Sequence, residues 1–215
     1  MIELLRGMRK EGATAVLAAA STQNFQTGEV IITAGERAKN LFLIRIGVVN
    51  CFCLTPDGRE IALGLLGPGE VFGVGTLLTE PSMYAATTQS VRAVEAYVWS
   101  HASIRRLTKI YPELSENVFR IVLANLASFV GRHISLLSKT AEQRLFDTLI
   151  RLGDNIGRQD SGGIQVEVKN EHLASLADVN YFTVSRLLKN WERSGVIKKG
   201  RGIVTILHPE YLHIK

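Results

Sequence analysis

Cysteine and histidine are scarce in this 215-residue chain, and their positions exclude more than their numbers do. The two cysteines, Cys51 and Cys53, stand two residues apart in an extended run, so they face the same way and form no disulfide framework. They read as packed core thiols. Residues 1–50 contain no cysteine, which removes the N-terminal thiolate group that an iron–sulfur cluster would need. All five histidines (His101, His133, His172, His208 and His213) fall beyond residue 100, so the first hundred residues offer no imidazole to a metal or haem. There is no apolar run of about 18 residues and no signal-peptide core in Met1–Lys10. The expectation is a cytoplasmic protein that spans no membrane. Core-forming residues are plentiful: 46% of the chain is hydrophobic, which argues against disorder. The net charge of +5 suits an anionic partner.

The first hundred residues alternate short apolar runs with turn residues. The runs are Val30–Thr33, Leu41–Ile46, Val48–Leu54, Ile61–Leu66, Val71–Val74, Tyr84–Thr88 and Val91–Trp99. Between two of them lies Pro56-Asp57-Gly58, whose residues tolerate hairpin angles. Turn signals every 8 to 12 residues point to an antiparallel sandwich or roll, preceded by one short helix near Leu4–Ala20.

A long helix is expected from Pro112, a good helix start, to about Lys139. Phe119, Val122, Leu126, Phe129, His133 and Leu136 recur at spacings of three and four, the seam of a coiled coil. A second apolar stripe (Leu123, Val130, Ile134, Leu137) has the helix packing on two sides, one against the roll and one against a second copy. On this seam His133 can ligate or sense pH, although a hydrogen-bonded interface histidine is the simpler reading.

Asn170–Gly202 carries the function. A first helix spans Glu171–Ala177, a break follows at Asp178-Val179-Asn180, and a second helix runs from Tyr181 to about Ser194. On the second helix Val184, Leu187, Leu188 and Trp191 make one buried face, and Phe182, Ser185, Arg186 and Lys189 lie opposite. Two short extended runs, Val196-Ile197 and Ile203–Leu207, flank the basic hairpin Lys198-Lys199-Gly200-Arg201-Gly202. Helix, turn, exposed helix and basic wing form a winged helix-turn-helix pattern. A helix fits the major groove, where each base pair shows a distinct set of donors and acceptors. Arg186 has the fork that pairs with guanine, and Tyr181, Thr183 and Ser185 are placed for neighbouring bases or phosphates. Between Tyr181 and Arg201 six basic residues face one acid, Glu192, for 6 − 1 = +5, which attracts phosphate through Lys189, Lys198, Lys199 and Arg201.

In this order the parts resemble the CRP/FNR family of bacterial transcription regulators. The likeness rests on Gly28, Gly35, Gly47, Gly58, Gly67, Gly69 and Gly73 in the roll, on Thr183-Val184-Ser185-Arg186 with Leu187-Leu188-Lys189, and on the wing. It implies an α+β fold: a cyclic-nucleotide-binding-like β-roll (1–111), a long dimerisation helix (112–138) and a C-terminal winged helix-turn-helix domain (139–215). It also implies a homodimeric, non-enzymatic regulator without cofactor or metal, which contacts RNA polymerase. Such a dimer binds a near-palindromic site in double-stranded DNA with half-sites roughly 34–36 Å apart.

The departures from the family pattern concern the signal. Nucleotide-binding members carry Glu just after the glycine matching Gly73, where this chain has Val74, and an Arg-Ser phosphate grip where it has Tyr84 and Ala85. Their polar long-helix contacts are replaced here by Phe129 and Val130. A buried phosphate without a cationic partner is costly, so the effector is expected not to be cyclic AMP. Two readings of the pocket stay open: a small aromatic or apolar effector, or a pocket filled by its own side chains. A thiol/redox sensor through Cys51 and Cys53 is an alternative, and a cupin-type enzyme with a DNA-binding tail a remote one. Phe182 cannot hydrogen-bond a base but can touch a thymine methyl. It precedes Thr-Val-Ser-Arg in a pattern similar to the halophenol-responsive branch, as is Met83-Tyr84-Ala85. Asp178 takes the turn position often held by Gly, at modest cost in the left-handed conformation.

Overall fold

The computed structural model describes residues 2–160 and 162–208; His213 lies outside the described residues. In chain order the elements of the first half are α1 (Lys10–Ala18), β1 (Ser21–Phe25), β2 (Val30–Ile32), β3 (Asn40–Ile46), β4 (Val49–Leu54), β5 (Glu60–Leu66), β6 (Val71–Phe72), β7 (Thr87–Ser90), β8 (Val94–Ser100) and α2 (His101–Ile110). Then come α3 (Glu113–Ser138), α4 (Ala141–Ile156), β9 (Arg158–Asp160), β10 (Gly163–Glu167), α5 (Asn170–Ala177), α6 (Tyr181–Arg193), β11 (Ile197–Gly200) and β12 (Ile203–Ile206). They form two compact units: residues 1–53 with 65–129, and residues 54–64 with 130–215. The expected boundaries at 111/112 and 138/139 followed helix ends. The units follow packing instead, so α3 is shared between them and the β4–β5 hairpin belongs with the second.

In the first unit the alternation along β3 organises the roll. Sheets ordered β1-β8-β3-β6 and β2-β7-β4-β5 make up the roll, and every pairing in them that the register defines is antiparallel. Successive side chains of β3 point to opposite faces. Phe42 and Ile44 enter a core with Ile32, Val49, Phe72, Tyr84, Ala96 and Val98. Leu41 and Leu43 enter a second core with Trp99 of β8 and with Leu4, Val16, Ile104, Leu107, Leu114 and Val118, from the N-terminal segment and the first three helices. Three hydrogen bonds from two side chains fix these helices. The buried Trp99 Nε1 donates to the Val16 carbonyl at 2.8 Å, and Asn117 Nδ2 donates to the carbonyls of Leu4 and Arg6 at 3.0 and 2.8 Å. The start of α3 is thereby tied into the roll. From Phe119 onward its large apolar side chains are exposed except for the half-buried Ile121 and Leu136, and by length and composition the helix is apolar enough to cross a membrane.

Sequence reading missed α4, although its signal is present. Thr140 Oγ1 accepts from the Gln143 N–H and Gln143 Oε1 accepts from the Thr140 N–H, a capping box ahead of the buried Leu145, Phe146, Leu149, Leu152 and Ile156. The strands β1, β9 and β10 also escaped notice. β1 and β9 are short and polar, so hydrophobic periodicity does not mark them, whereas β10 and the residue just after it carry the alternation Ile164, Val166, Val168 that a half-buried strand shows.

Two glycines of the roll are required by close approach as well as by angle. Gly47 has φ +98°, and a Cβ there would stand 2.3 Å from the Ala93 carbonyl oxygen; at Gly73 (φ +79°) it would stand 2.5 Å from that of Asn40. Gly28 has a similar angle but open space around it. Gly47→Ala is therefore expected to cost about 3 kcal/mol of stability and Gly28→Ala about 1 kcal/mol, measured by urea unfolding. Equal losses would show that the backbone relaxes away from the Ala93 contact.

Candidate nucleic-acid interface

The helix-turn-helix is set by how its helix ends satisfy their backbone groups. At the end of α5, Asp178 adopts φ 49°, ψ 56°, the one positive-φ non-glycine among the described residues. In that pose the Val179 N–H reaches the Ala174 carbonyl (2.9 Å) and the Asp178 N–H the Ser175 carbonyl (3.4 Å), the bond pair of a Schellman turn. Asn180 then caps α6, its Oδ1 accepting from the Phe182 N–H at 2.8 Å. The far end of α6 closes the same way: Gly195 (φ +74°) and Val196 donate to Glu192 and Trp191. Two Schellman turns and one asparagine cap thus fix both the entry and exit of the exposed helix.

Val184, Leu187, Leu188 and Trp191 are buried, as their spacing predicts. This orients the opposite face outward. Arg186 and Lys189 are exposed, Thr183 and Ser185 half-buried. At the start of α6 Phe182 is 78% exposed and Tyr181 stands edge-on to it at 5.9 Å, so an apolar surface leads the helix. The wing differs from expectation. Lys198 and Lys199 lie within β11, paired with Thr205 and Val204, and only Arg201-Gly202 turns. Strand pairing extends into the basic run because Lys198 remains exposed from an edge strand; the sheet order is β11-β12-β10-β9. Lys198 and Arg201 are exposed and Lys199 half-buried.

Supporting residues that the sequence reading passed over hold this face in place. Glu142 on α4 accepts from Trp191 Nε1 at 2.9 Å, and Glu192 accepts from the Lys199 N–H at 3.0 Å, joining α6 to the wing. Arg144 donates to the carbonyls of Ala177 (3.0 Å), Asp178 (2.9 Å) and Lys139 (2.9 Å), gripping the turn before α6. In the sequence these are ordinary helix-surface charges; only the fold gives them partners.

The residues assigned to an effector do not share one environment. Val74 is half-buried against the core that the helices cover, whereas Tyr84 is buried in the core between the sheets. The Tyr84 hydroxyl accepts from the N–H groups of Lys39 and Asn40, each at 3.1 Å, and donates to the Asn40 carbonyl at 3.1 Å. Ala85 is exposed, and its carbonyl accepts from Cys53 Sγ at 3.5 Å. Phe129 and Val130 are half-exposed. Cys51 and Cys53 are free thiols, and burial with the adjacent Cys53 pushes the Cys51 pKa up to about 11. A neutral thiol is a poor nucleophile, which weighs against redox sensing. Along the helix seam Phe119, Val122, Leu126 and His133 are exposed and Leu136 half-buried.

A β-roll with a winged helix-turn-helix whose basic recognition face is turned outward defines a DNA-binding regulator. Comparison with known proteins agrees. The family described as cyclic nucleotide-binding domain matches residues 22–111, and that described as Crp-like helix-turn-helix domain matches 143–213. The Cyclic AMP receptor protein of Thermus thermophilus is 28% identical over 94% of this chain and 91% of its own. The CRP-like cAMP-activated global transcriptional regulator of Mycobacterium tuberculosis is 23% identical over the same shares. The structure of FixK2 from Bradyrhizobium japonicum shares the fold, with a TM-score of 0.79 at 19% identity over 90% of this chain and 96% of that one. The chain belongs to the CRP/FNR family and is a DNA-binding transcription regulator of that type.

His172 on α5 adds a pH dependence to this domain. It is half-buried, its Nδ1 has no hydrogen-bond partner among the described residues, and burial, then Lys169, lower its pKa below 6.5 against the opposing pull of Glu171 and Glu60. Above pH 6.5 it is neutral folded or unfolded and contributes nothing. Below that, the unfolded chain takes up the proton first, so the domain loses stability as pH falls. Unfolding followed between pH 7.5 and 5 should show this loss, smaller in His172→Gln. An identical pH profile in the variant would remove His172 as its source.

Proposed function

We propose that this protein is a cytoplasmic homodimer that lays its two α6 helices in successive major grooves of a near-palindromic operator and contacts RNA polymerase there. The outward face of α6, with Arg186 beside Ser185 and behind the exposed Phe182, carries this reading. Arg186 pairs with guanine, Phe182 lies against a thymine methyl, and Tyr181, Thr183 and Ser185 make neighbouring contacts. Lys189, Lys198, Lys199 and Arg201 hold phosphates. Selection from a random DNA pool supplies the operator. On it, Arg186→Ala should cost about 1–3 kcal/mol and relax preference at one base position, whereas Lys198→Ala should weaken all sequences alike and lower the salt slope by about one. An Arg186→Ala protein that still discriminates at every position sinks the assignment.

The second copy packs against the exposed stripe of α3. A helix of this apolarity left in water is unstable as a surface, and a coiled-coil partner is what its three-and-four spacing fits. Arg120 and Arg132 on the same helix, with Glu113 and Glu116, make it a poor membrane span. Leu126→Glu places a charge in this seam and is expected to give a monomer by sedimentation, with operator affinity falling by at least tenfold. A Leu126→Glu protein that stays dimeric would move the interface elsewhere.

For the roll, we propose a small aromatic or apolar effector rather than cyclic AMP, the ligand that two of the relatives are named for. Val74, Tyr84 and Ala85 supply no cation for a phosphate, and an unpaired buried phosphate is disfavoured by several kcal/mol. The engagement of the Tyr84 hydroxyl by Asn40 favours a second reading, in which the roll's own side chains fill the position and no ligand enters.

A further inference from the structure

The β4–β5 hairpin, residues 54–64, packs as part of the same unit as the helix-turn-helix, and three residues from three elements close a ring of hydrogen bonds there. The Ala62 N–H of β5 donates to Ser175 Oγ of α5 at 2.8 Å. Arg132 of α3 donates through Nη2 to the Ser175 carbonyl at 3.0 Å and through Nη1 to the Ala62 carbonyl at 3.0 Å, with Leu63 behind it at 3.4 Å. Hairpin, long helix and first helix of the DNA-binding motif thus meet at a single guanidinium.

The chemistry favours arginine at this point. Ser175 lies in the last turn of α5, where the carbonyls carry the negative end of the helix dipole and attract a cation. The planar fork of a guanidinium can address two strands of backbone at once, which a lysine ammonium cannot do with the same geometry. Burial, with Arg151 nearby, makes the charge less comfortable, while Asp178 opposes that effect. The half-buried charge is held by three backbone carbonyls. The carbonyl it grips lies three residues before Asp178, the left-handed residue that aims α6. Arg144 holds the next carbonyls along, those of Ala177 and Asp178.

We infer that Arg132 is a positioning residue for DNA binding, tying the β4–β5 hairpin of the roll to the helix that aims the recognition helix. This rests on the proposed use of α6 as the reading element. The ring holds the end of α5 before DNA arrives, so less ordering remains for the binding step, and any displacement of the hairpin reaches α6 through Arg132.

The test uses the full chain and a duplex that the wild-type protein recovers from a random-sequence pool. Arg132→Ala should bind that duplex about 5- to 150-fold more weakly per active dimer, the range of a typical coupling between sites, with an unchanged salt slope. Arg132→Lys should recover part of the loss. Ser175→Ala, the mildest change, should weaken binding in the same direction, and the double variant should lose less than the two single losses combined. Hydrogen exchange at the Ala62 amide should quicken in Arg132→Ala without DNA present. Wild-type affinity or tighter binding in Arg132→Ala, a salt slope lowered by about one, or unaltered Ala62 exchange would each overturn the inference. If the wild type selects no sequence, the reading of α6 fails instead, and the exchange measurement still judges the ring.

Discussion

The stripe of apolar side chains on α3 is the constraint around which this protein is organised. A 26-residue helix begins inside the first core, with Leu114 and Val118 buried and Asn117 bound to the carbonyls of Leu4 and Arg6. Within one turn the same helix presents Phe119, then Val122, Leu123, Leu126, Phe129 and Val130 to solvent. The hydrophobic effect penalises that surface in proportion to its area, so the monomer is an incomplete object and a partner copy is the economical cover. The helix also serves both compact units: its beginning is roll, and its end, through Arg132, belongs with the DNA-binding half.

At the output end the governing rule is that helix ends must satisfy their backbone groups. Asp178 in a left-handed pose, Asn180 as cap and Gly195 at the exit answer that rule at three places within 18 residues. Their effect is directional. With Leu187, Leu188 and Trp191 inward, the remaining face of α6 has no choice but to point away from the domain. Arginines and glutamates then brace it from behind: Arg144 on the turn, Glu142 on Trp191, Glu192 on the wing. The support of the recognition surface is built of charge-assisted hydrogen bonds to backbone and indole.

In the roll, glycine angles and side-chain packing carry separate parts of the structure. Gly47 and Gly73 hold the turns at positive φ against neighbouring carbonyls, where a Cβ has no room. Tyr84, by contrast, spends its hydroxyl on Lys39 and Asn40 and its ring on the core, so it supports the roll. Val74 and Tyr84 pack against different cores, a separation that spacing along the chain does not reveal.

Local chemistry is what the sequence by itself determined. The periods of α3 and α6, the Pro56-Asp57-Gly58 hairpin, the tolerance of Asp178 for the left-handed region and the basic excess of Tyr181–Arg201 all follow from spacing and side-chain type, because they are interactions between near neighbours. The same near-neighbour logic marked α4 through Thr140 and Gln143, and would have found it. Long-range pairing was decided only by the tertiary structure. Ala62 lies 113 residues from Ser175 and 70 from Arg132, and nothing local in those residues distinguishes them from other surface positions. Their meeting depends on loop closure and packing of whole elements, whose energies are spread over many weak contacts, so the residues that join the hairpin to the recognition motif become visible only when the chain is folded.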